Sequence, residues 1–404
     1  MASRESREIV ILGAARTPIG RFGGSFKDVP APELGAVAAK AALSRAGLTP
    51  ADIDEVVMGH GRPAGVGPNP ARQVGHRAGV PHTAPAYTVN KACAGGMQAV
   101  ASGAASILLG ESRVVLTGGM ENMSRTPYLI DAADARWGHK MGHFPFVDAM
   151  YRDGFSDPLS GLIMGETAEV LARQYGITRE PSDQFALESQ RKAEAAQKAG
   201  HFTREIAPVT VTEKGKSAEA AVDEHPRHGT TIESLKKLPL TFPHVEGKDG
   251  IITAGSASGL TDGAAALVLT SGEHARERGL TPIARILGWA SAGVDPRIMG
   301  IGPVPAVAKL KERIGLGVDD FDLIEINEAF AAQVLAVLKD MPIPADKLNV
   351  NGGAIALGNP IGCSGARIIV TLLYELKRRG LKRGLATLCV SGGMGMAMAI
   401  DVCE

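Results

Sequence analysis

Two segments of this chain follow one plan, and the plan restricts the fold more than any other feature. In residues 86–122 an apolar strand runs into a tight turn, a helix rich in small residues, and a second apolar strand ending in "TGGM" (117–120). Residues 359–402 repeat that order as turn, helix, strand and "SGGM" (391–394). Strands that alternate with helices predict a largely parallel sheet with helices on both faces. A plan used twice predicts two related halves. Around these units, "REIVILGAARTPIG" reads as a buried strand and "PELGAVAAKAALSRAGLTPADID" as an amphipathic helix. "LIEINEAFAAQVLAVLK" reads as a strand running into a helix. The 50 glycines, many paired at element ends, predict close backbone approach in place of flexible linkers.

Residues 123–256 differ in character. They are charged, hold many of the histidines and prolines, and include the loop-like "TEKGKSAEAAVDEHPRHGTT". They read as an insertion folded over the core, a lid, a substrate-binding subdomain or an oligomerisation arm. The division that follows is 1–122 with 257–281, then 123–256, then 282–404.

Composition excludes several classes. Lys+Arg 43 against Asp+Glu 43 leaves no formal charge, which argues against a nucleic-acid partner. The basic run "KRRGLKRG" (377–384) closes an apolar helical stretch and reads as a helix C-terminus complementing its dipole. "IVIL" at the N-terminus is too short for a membrane span, and no later apolar run reaches about 18 residues, so no membrane association is expected. The four cysteines are scattered and form no CxxC pair, which fits a reducing cytoplasm. The histidines show no ligand spacing, so no metal is expected.

Two of the cysteines stand where chemistry is placed. Cys93 lies between a strand and a helix beginning in "AGGMQAV". A thiol at a helix N-terminus meets unpaired N–H groups and the positive end of the dipole, so a lowered pKa is expected. Ala94, Gly95 and Gly96 leave room for a carbonyl beside the sulfur. A small core residue is the plain alternative. Cys389 ends the strand "LATLCV", and strand C-terminal ends are where open sheets place ligands. Cys363 reads as packing at a helix start and Cys403 as a tail residue.

The segments "VNKACAGGMQAV", "TAGSASGLTDGAAALVL", "MGIGPVP", "EINEAFAAQ", "NGGAIALGNPIGCSGAR" and "CVSGGMGMAM" together resemble the thiolase family, the acyl-CoA:acetyl-CoA C-acyltransferases. The resemblance covers nearly the whole chain, in the family's order and spacing. It implies a five-layered αβαβα fold of two duplicated halves with an inserted loop domain. It implies a ping-pong Claisen condensation, or thiolysis of 3-ketoacyl-CoA, in fatty acid metabolism or beta-oxidation. Coenzyme A and acyl-CoA would be substrates, no cofactor would be permanently bound, and the assembly would be a homodimer or homotetramer. By the same resemblance Cys93 becomes acylated and Cys389 moves the proton at Cα of the second acyl-CoA. Asn327 holds a water that helps bind the thioester oxygen. Backbone N–H groups at Cys93 and near Ser391 form an oxyanion hole. Arg227 and Ser234 match positions that contact coenzyme A. Met164, Phe242, Ser258, Phe330 and Met299 match positions along the pantetheine and acyl end.

Three positions depart from the family pattern. Ser391 stands where a third glycine is common, and Ile163 where some short-chain members have histidine. Asn359 replaces the histidine of the usual "GHPIG". An amide still donates a hydrogen bond, but it cannot move a proton. Loss of a positioned base typically costs about 10²–10⁴-fold. A thiol suffers less than a hydroxyl, being partly thiolate near neutral pH. The related β-ketoacyl synthase III enzymes also carry asparagine here, with histidine at the position matching Asn327. This chain has asparagine at both. A slowed enzyme is expected; the alternatives are an attenuated or non-catalytic acyl-CoA-binding protein, or an engineered His→Asn trap. His76 and His82, N-terminal to the Cys93 strand, are candidates for a substitute imidazole.

Overall fold

A computed structural model describes residues 8–403. Its first strand, β1 (Ile9–Arg16), is buried along its whole length, as an apolar run of β-formers requires when both faces are covered. It is followed by α1 (Ala31–Arg45), β2 (Glu55–His60), α2 (Pro70–Ala78), β3 (Ala86–Val89), α3 (Gly95–Leu109) and β4 (Val114–Asn122). The intervening segment contributes α4 (Met164–Gln174) and α5 (Arg179–Lys198). Then come β5 (Thr261–Ser271), β6 (Ala284–Gly293), α6 (Pro303–Ile314), β7 (Leu323–Ile326) and α7 (Ala331–Asp340). The chain closes with α8 (Ile361–Arg379), β8 (Arg383–Val390) and β9 (Met394–Val402).

The strands form a ten-stranded sheet in the order β7-β8-β9-β6-β1-β5-β4-β2-β3, with Gly20–Arg21 pairing beside β5. It divides at the β6–β1 contact, where only Ile9–Ile11 pair with Ala284–Ile286. On one side β3, β2 and β4 are parallel, and β5 and β1 return antiparallel. On the other, β7 and β8 are parallel, and β9 and β6 return antiparallel. The two halves therefore repeat one arrangement. The expected largely parallel sheet is corrected to a mixed one. The turn at Ser391–Gly393 joins β8 to β9 directly, and a connection that short allows only antiparallel pairing.

Side-chain alternation assigns the layers. Val10, Leu12, Met58 and Leu116 pack outward against Leu34 and Val74 of α1 and α2. Ile11, Val57 and Val115 face inward onto Met97, Val100, Ile368 and Leu372 of α3 and α8, which also meet Leu388 and Met398 of the other half. Leu385 and Ala399 face out again, onto Leu310 of α6 and Val334 and Val337 of α7. These are five layers, helix–sheet–helix–sheet–helix. Burial of each such large apolar side chain contributes about 1.5–3 kcal/mol, so the central helix pair anchors both halves.

That central pair positions the site. A Cβ on Gly96 would fall 2.8 Å from the Ala366 nitrogen, and one on Gly365 would fall 2.6 Å from the Met97 nitrogen. The starts of α3 and α8 are thus pressed backbone to backbone. Gly119 of β4 joins the contact, since a Cβ there would sit 2.1 Å from the Gly362 carbonyl oxygen. Only chains without side chains at these points bring Cys93, just before α3, against Asn359, just before α8. The stretch Ala92–Leu109 is apolar and long enough to cross a membrane by composition alone, with mean hydropathy 1.4, contrary to the expected absence of such a run. Its alanines and glycines serve the close packing instead, and 61% of it is buried inside the protein.

The segment between the halves is tied to the core by charge. Arg16, at the end of β1, is fully buried and donates from Nε to Glu205 at 2.6 Å and from Nη1 to Asp223 at 2.6 Å. The basic run at the end of α8 behaves as a helix C-terminus. Arg378 and Arg379 pair with Glu375, and Gly380 takes the left-handed capping conformation.

Candidate active site

Parallel strands β3, β2 and β4 end at one edge, and each carries a polar residue out of its end. Beyond β3 the chain makes a tight turn in which Ala92 holds a positive φ of 42°, strained for a residue with a Cβ. The Ala92 N–H donates to Asn90 Oδ1 at 3.1 Å, which fixes that turn. Cys93 follows in a single 3-10 turn (Ala92–Ala94) ahead of α3 and is partly exposed. The expected lowering of its pKa is corrected: burial pushes the Cys93 thiol up. The Arg62 charge, a hydrogen bond from Asn359 and the backbone N–H offset part of that rise. Desolvation outweighs the helix terminus because the sulfur sits one turn before α3, among Met123, Met150 and Ile361.

Cys389 approaches from the other half, at the end of β8, and is 1% exposed. Burial pushes its thiol far up, and the proximity of Cys93 adds to the shift. Met299, Ala329, Met164 and Phe330 pack around it as an apolar wall. Asn327 leaves the end of β7 beside Cys389, its N–H bonded to the Thr387 carbonyl at 3.0 Å. It is fully buried and its Oδ1 has no partner in the protein. Asn359, 7% exposed, links these groups. Its Oδ1 accepts from Ser364 Oγ at 2.5 Å and from Asn327 Nδ2 at 3.3 Å. That orients Nδ2 toward Ser258 Oγ at 3.4 Å and toward the Cys93 sulfur.

Ser391 begins the turn after β8 with an ordinary φ. The positive values fall on Gly392 and Gly393, 84° and 80°, so a serine fits at 391 without strain. Phe242 packs its ring on Gly165, next to Met164, where a Cβ would lie 2.0 Å from the ring. Arg227 and Ser234 are exposed on the inserted segment. Arg227 anchors by its N–H to Gln190 Oε1 at 2.9 Å, and Ser234 closes a turn with Thr231. Arg227 lines a crevice with His225, Leu235 and Gly255. Ile163 precedes α4 and its N–H is capped by Glu166. Cys363 is buried in the core with its thiol pushed up to about 12 by burial.

His76 and His82 do not reach this site. Their rings stack on each other, centroids 5.4 Å apart, on the exposed side of α2. The residues missed from sequence lie nearer. Glu121, at the end of β4, is fully buried and accepts from the N–H groups of Gly61, Arg62 and Gly362 at 2.9, 3.1 and 2.8 Å. His60 Nε2 lies 3.0 Å from its other oxygen. Burial would raise the Glu121 pKa, but the His60 and Arg62 charges and the hydrogen bonds hold it low. The signal was present: ionisable residues in "MGHGRP" and "GGMEN" stand at the ends of the two strands that run parallel to the Cys93 strand.

The comparisons agree with this geometry. Residues 9–273 match the family model for the thiolase N-terminal domain, and residues 280–402 match the thiolase C-terminal domain. An acetyl-CoA acetyltransferase of Rhizobium meliloti (strain 1021) is 51% identical over 393 residues, 97% of this chain and 98% of that protein. One from Cupriavidus necator is 51% identical over 395 residues, covering 98% and 99% of the two chains. The crystal structure of the Bacillus anthracis acetyl-CoA acetyltransferase superposes with a TM-score of 0.95 at 47% identity, covering 99% of this chain and 100% of that one. Human mitochondrial 3-ketoacyl-CoA thiolase in complex with CoA gives 0.93 at 43% identity, with 99% of each chain covered. Matched end to end by sequence and by fold, the chain belongs to the thiolase family and is an acyltransferase.

Proposed function

We propose that this protein passes acyl groups between coenzyme A thioesters through an acyl-Cys93 intermediate, by thiolysis of 3-ketoacyl-CoA or the reverse condensation, and that Asn359 slows the first step. The observation that carries this reading is that strand ends of both halves converge on Asn359, which accepts from Asn327 at 3.3 Å beside Cys389 and turns its amide nitrogen toward Cys93. In thiolysis the Cys93 thiolate attacks the 3-keto carbon, and the Cα–C bond breaks. Cys389 gives its proton to the departing Cα, which leaves as an acyl-CoA. Free coenzyme A then takes the acyl group from Cys93, and its thiol proton restores Cys389. Oxyanion charge meets donors already oriented: the Asn359 amide, a water on Asn327, and the N–H groups at Cys93 and near Ser391. Such preorganised donors are usually the largest single contribution to rate.

Arg227 and Ser234 would meet coenzyme A on the inserted segment, with Met164, Phe242, Ser258, Phe330 and Met299 along the pantetheine and acyl end. The exposed Trp137, Met141, Phe146 and Tyr128 on residues 123–256 support a homodimer or homotetramer.

The test is thiolysis of acetoacetyl-CoA and longer 3-ketoacyl-CoAs by the protein and by Asn359→His. The variant should be faster by about 10²-fold or more, the usual contribution of a positioned base, because burial leaves the Cys93 thiol little ionised without one. An unchanged low rate would remove position 359 from this account. Acylation of Cys93 without release, read by mass spectrometry, would favour a protein that traps acyl-CoA.

A further inference from the structure

We propose that Arg62 is the positive charge that favours the Cys93 thiolate against the burial that disfavours it, in the place of the imidazole that position 359 lacks. This rests on the acyl-Cys93 reading above.

Strand register puts the two residues side by side. Gly59 of β2 pairs with Val89 of β3, so Arg62 and Cys93 lie three and four residues beyond the last paired position. Adjacent strands are about 4.8 Å apart. The two chains stay together past the ladder, since Asn90 Nδ2 donates to the Gly61 carbonyl at 3.4 Å. The Arg62 side chain then turns toward residues 151–155. Its Nη2 donates to the Gly154 carbonyl at 2.9 Å and its Nη1 to the Gly61 carbonyl at 3.2 Å. Met150 and Phe155, on either side of Gly154, pack in the same cluster as Cys93.

Arg62 is also a buried charge: it is 7% exposed, its buried Nε has no partner, and among the described residues its guanidinium forms no direct ion pair. Glu121 fixes the Arg62 backbone N–H and spends its other acceptor sites on Gly61, Gly362 and His60. A buried guanidinium with no direct ion pair and only the shared Glu121 charge nearby is costly, and a sulfur that becomes negative beside it relieves part of that cost. The charged and titratable groups around Cys93 are Arg62 and Glu121, with His60 behind Glu121 and Cys389 opposite. Asp153 lines the cavity next to Arg62 and is exposed. Of the charges, Arg62 acts on Cys93 most strongly, and Glu121 opposes it more weakly.

The experiment is the pH dependence of Cys93 alkylation by iodoacetamide, located by peptide mass spectrometry, in the full protein and its Arg62 variants. Arg62→Met should move the midpoint up by about one unit, so labelling at neutral pH is about tenfold slower. Arg62→Lys, which keeps the charge, should stay near the parent profile. Profiles that coincide for parent and Arg62→Met overturn the proposal. So does an equal shift in Met and Lys variants, which reports packing. If Arg62→Met loses its cooperative melt, Arg62→Gln carries the same expectation, since its amide N–H can still reach a carbonyl. Acetyl transfer from acetyl-CoA to Cys93 is measured alongside. Transfer without an Arg62 effect sinks this inference alone, and an Arg62 effect without transfer sinks the acyl-transfer reading alone.

Discussion

The two site cysteines leave the ends of equivalent strand units and meet opposite fates. Cys93 enters a turn strained at Ala92 and then a helix, partly exposed, with an amide and a guanidinium nearby. Cys389 enters a glycine turn that reverses into β9, and is sealed under Met299, Ala329 and Phe330 with no cation beside it. One plan folded twice has given one thiol an environment that tolerates charge and the other an environment that resists it. A nucleophile must shed its proton before it attacks, whereas an acid/base must hold one until a carbanion forms. In the proposed function the division of labour lies in the surroundings, not in the side chain.

The largest test of that contrast is Cys93→Ala, which should lower turnover by about 10⁴-fold or more, because no acyl-enzyme can form. Cys389→Ala should cost about 10²–10⁴-fold in turnover while Cys93 still becomes acetylated by acetyl-CoA. Equal loss of acetylation in both variants would erase the distinction. The pH dependence separates the thiols further. With the Cys93 pKa raised, its thiolate fraction, and hence labelling and turnover, should climb from neutral to alkaline pH without a plateau at pH 7. Cys389 should stay unlabelled through the same range, and labelling of both with one midpoint would contradict the structure. The smallest effect concerns the turns. Gly392→Ala, at φ 84° with no other atom closer than 3.9 Å, should destabilise by about 1–2 kcal/mol in denaturant melts. Gly119→Ala, which drives a Cβ into the Gly362 carbonyl, should cost about 1–3 kcal/mol and loosen the seam between the thiols.

Much of this was legible before any coordinates. The strand–turn–helix units and the choice of Cys93 and Cys389 follow from residues at element boundaries, where local pattern is informative, whereas Asn327 and Asn359 came only from the resemblance to the thiolase family. The antiparallel pairing of β5 and β6 was not legible, because their partner strands lie far away in the sequence. The sign of the Cys93 shift was missed for a related reason. A helix terminus is visible in sequence, but desolvation by Met123, Met150 and Ile361 is set by tertiary packing. Arg62 and Glu121 escaped notice because a charged residue after a strand usually faces water, and only the fold shows these two buried.

The buried Arg16 bears on how substrate gets in. It joins the core to Glu205 and Asp223 of the inserted segment with no exposure to water. Pulling a buried pair apart costs about 3–5 kcal/mol, so a conformer with this joint broken would be populated at about one part in 150 to one part in several thousand. The segment over the site therefore does not swing as a door on that side. The inserted segment is pinned to β1 at that joint, so any opening that admits substrate must come from the parts of the segment away from Arg16.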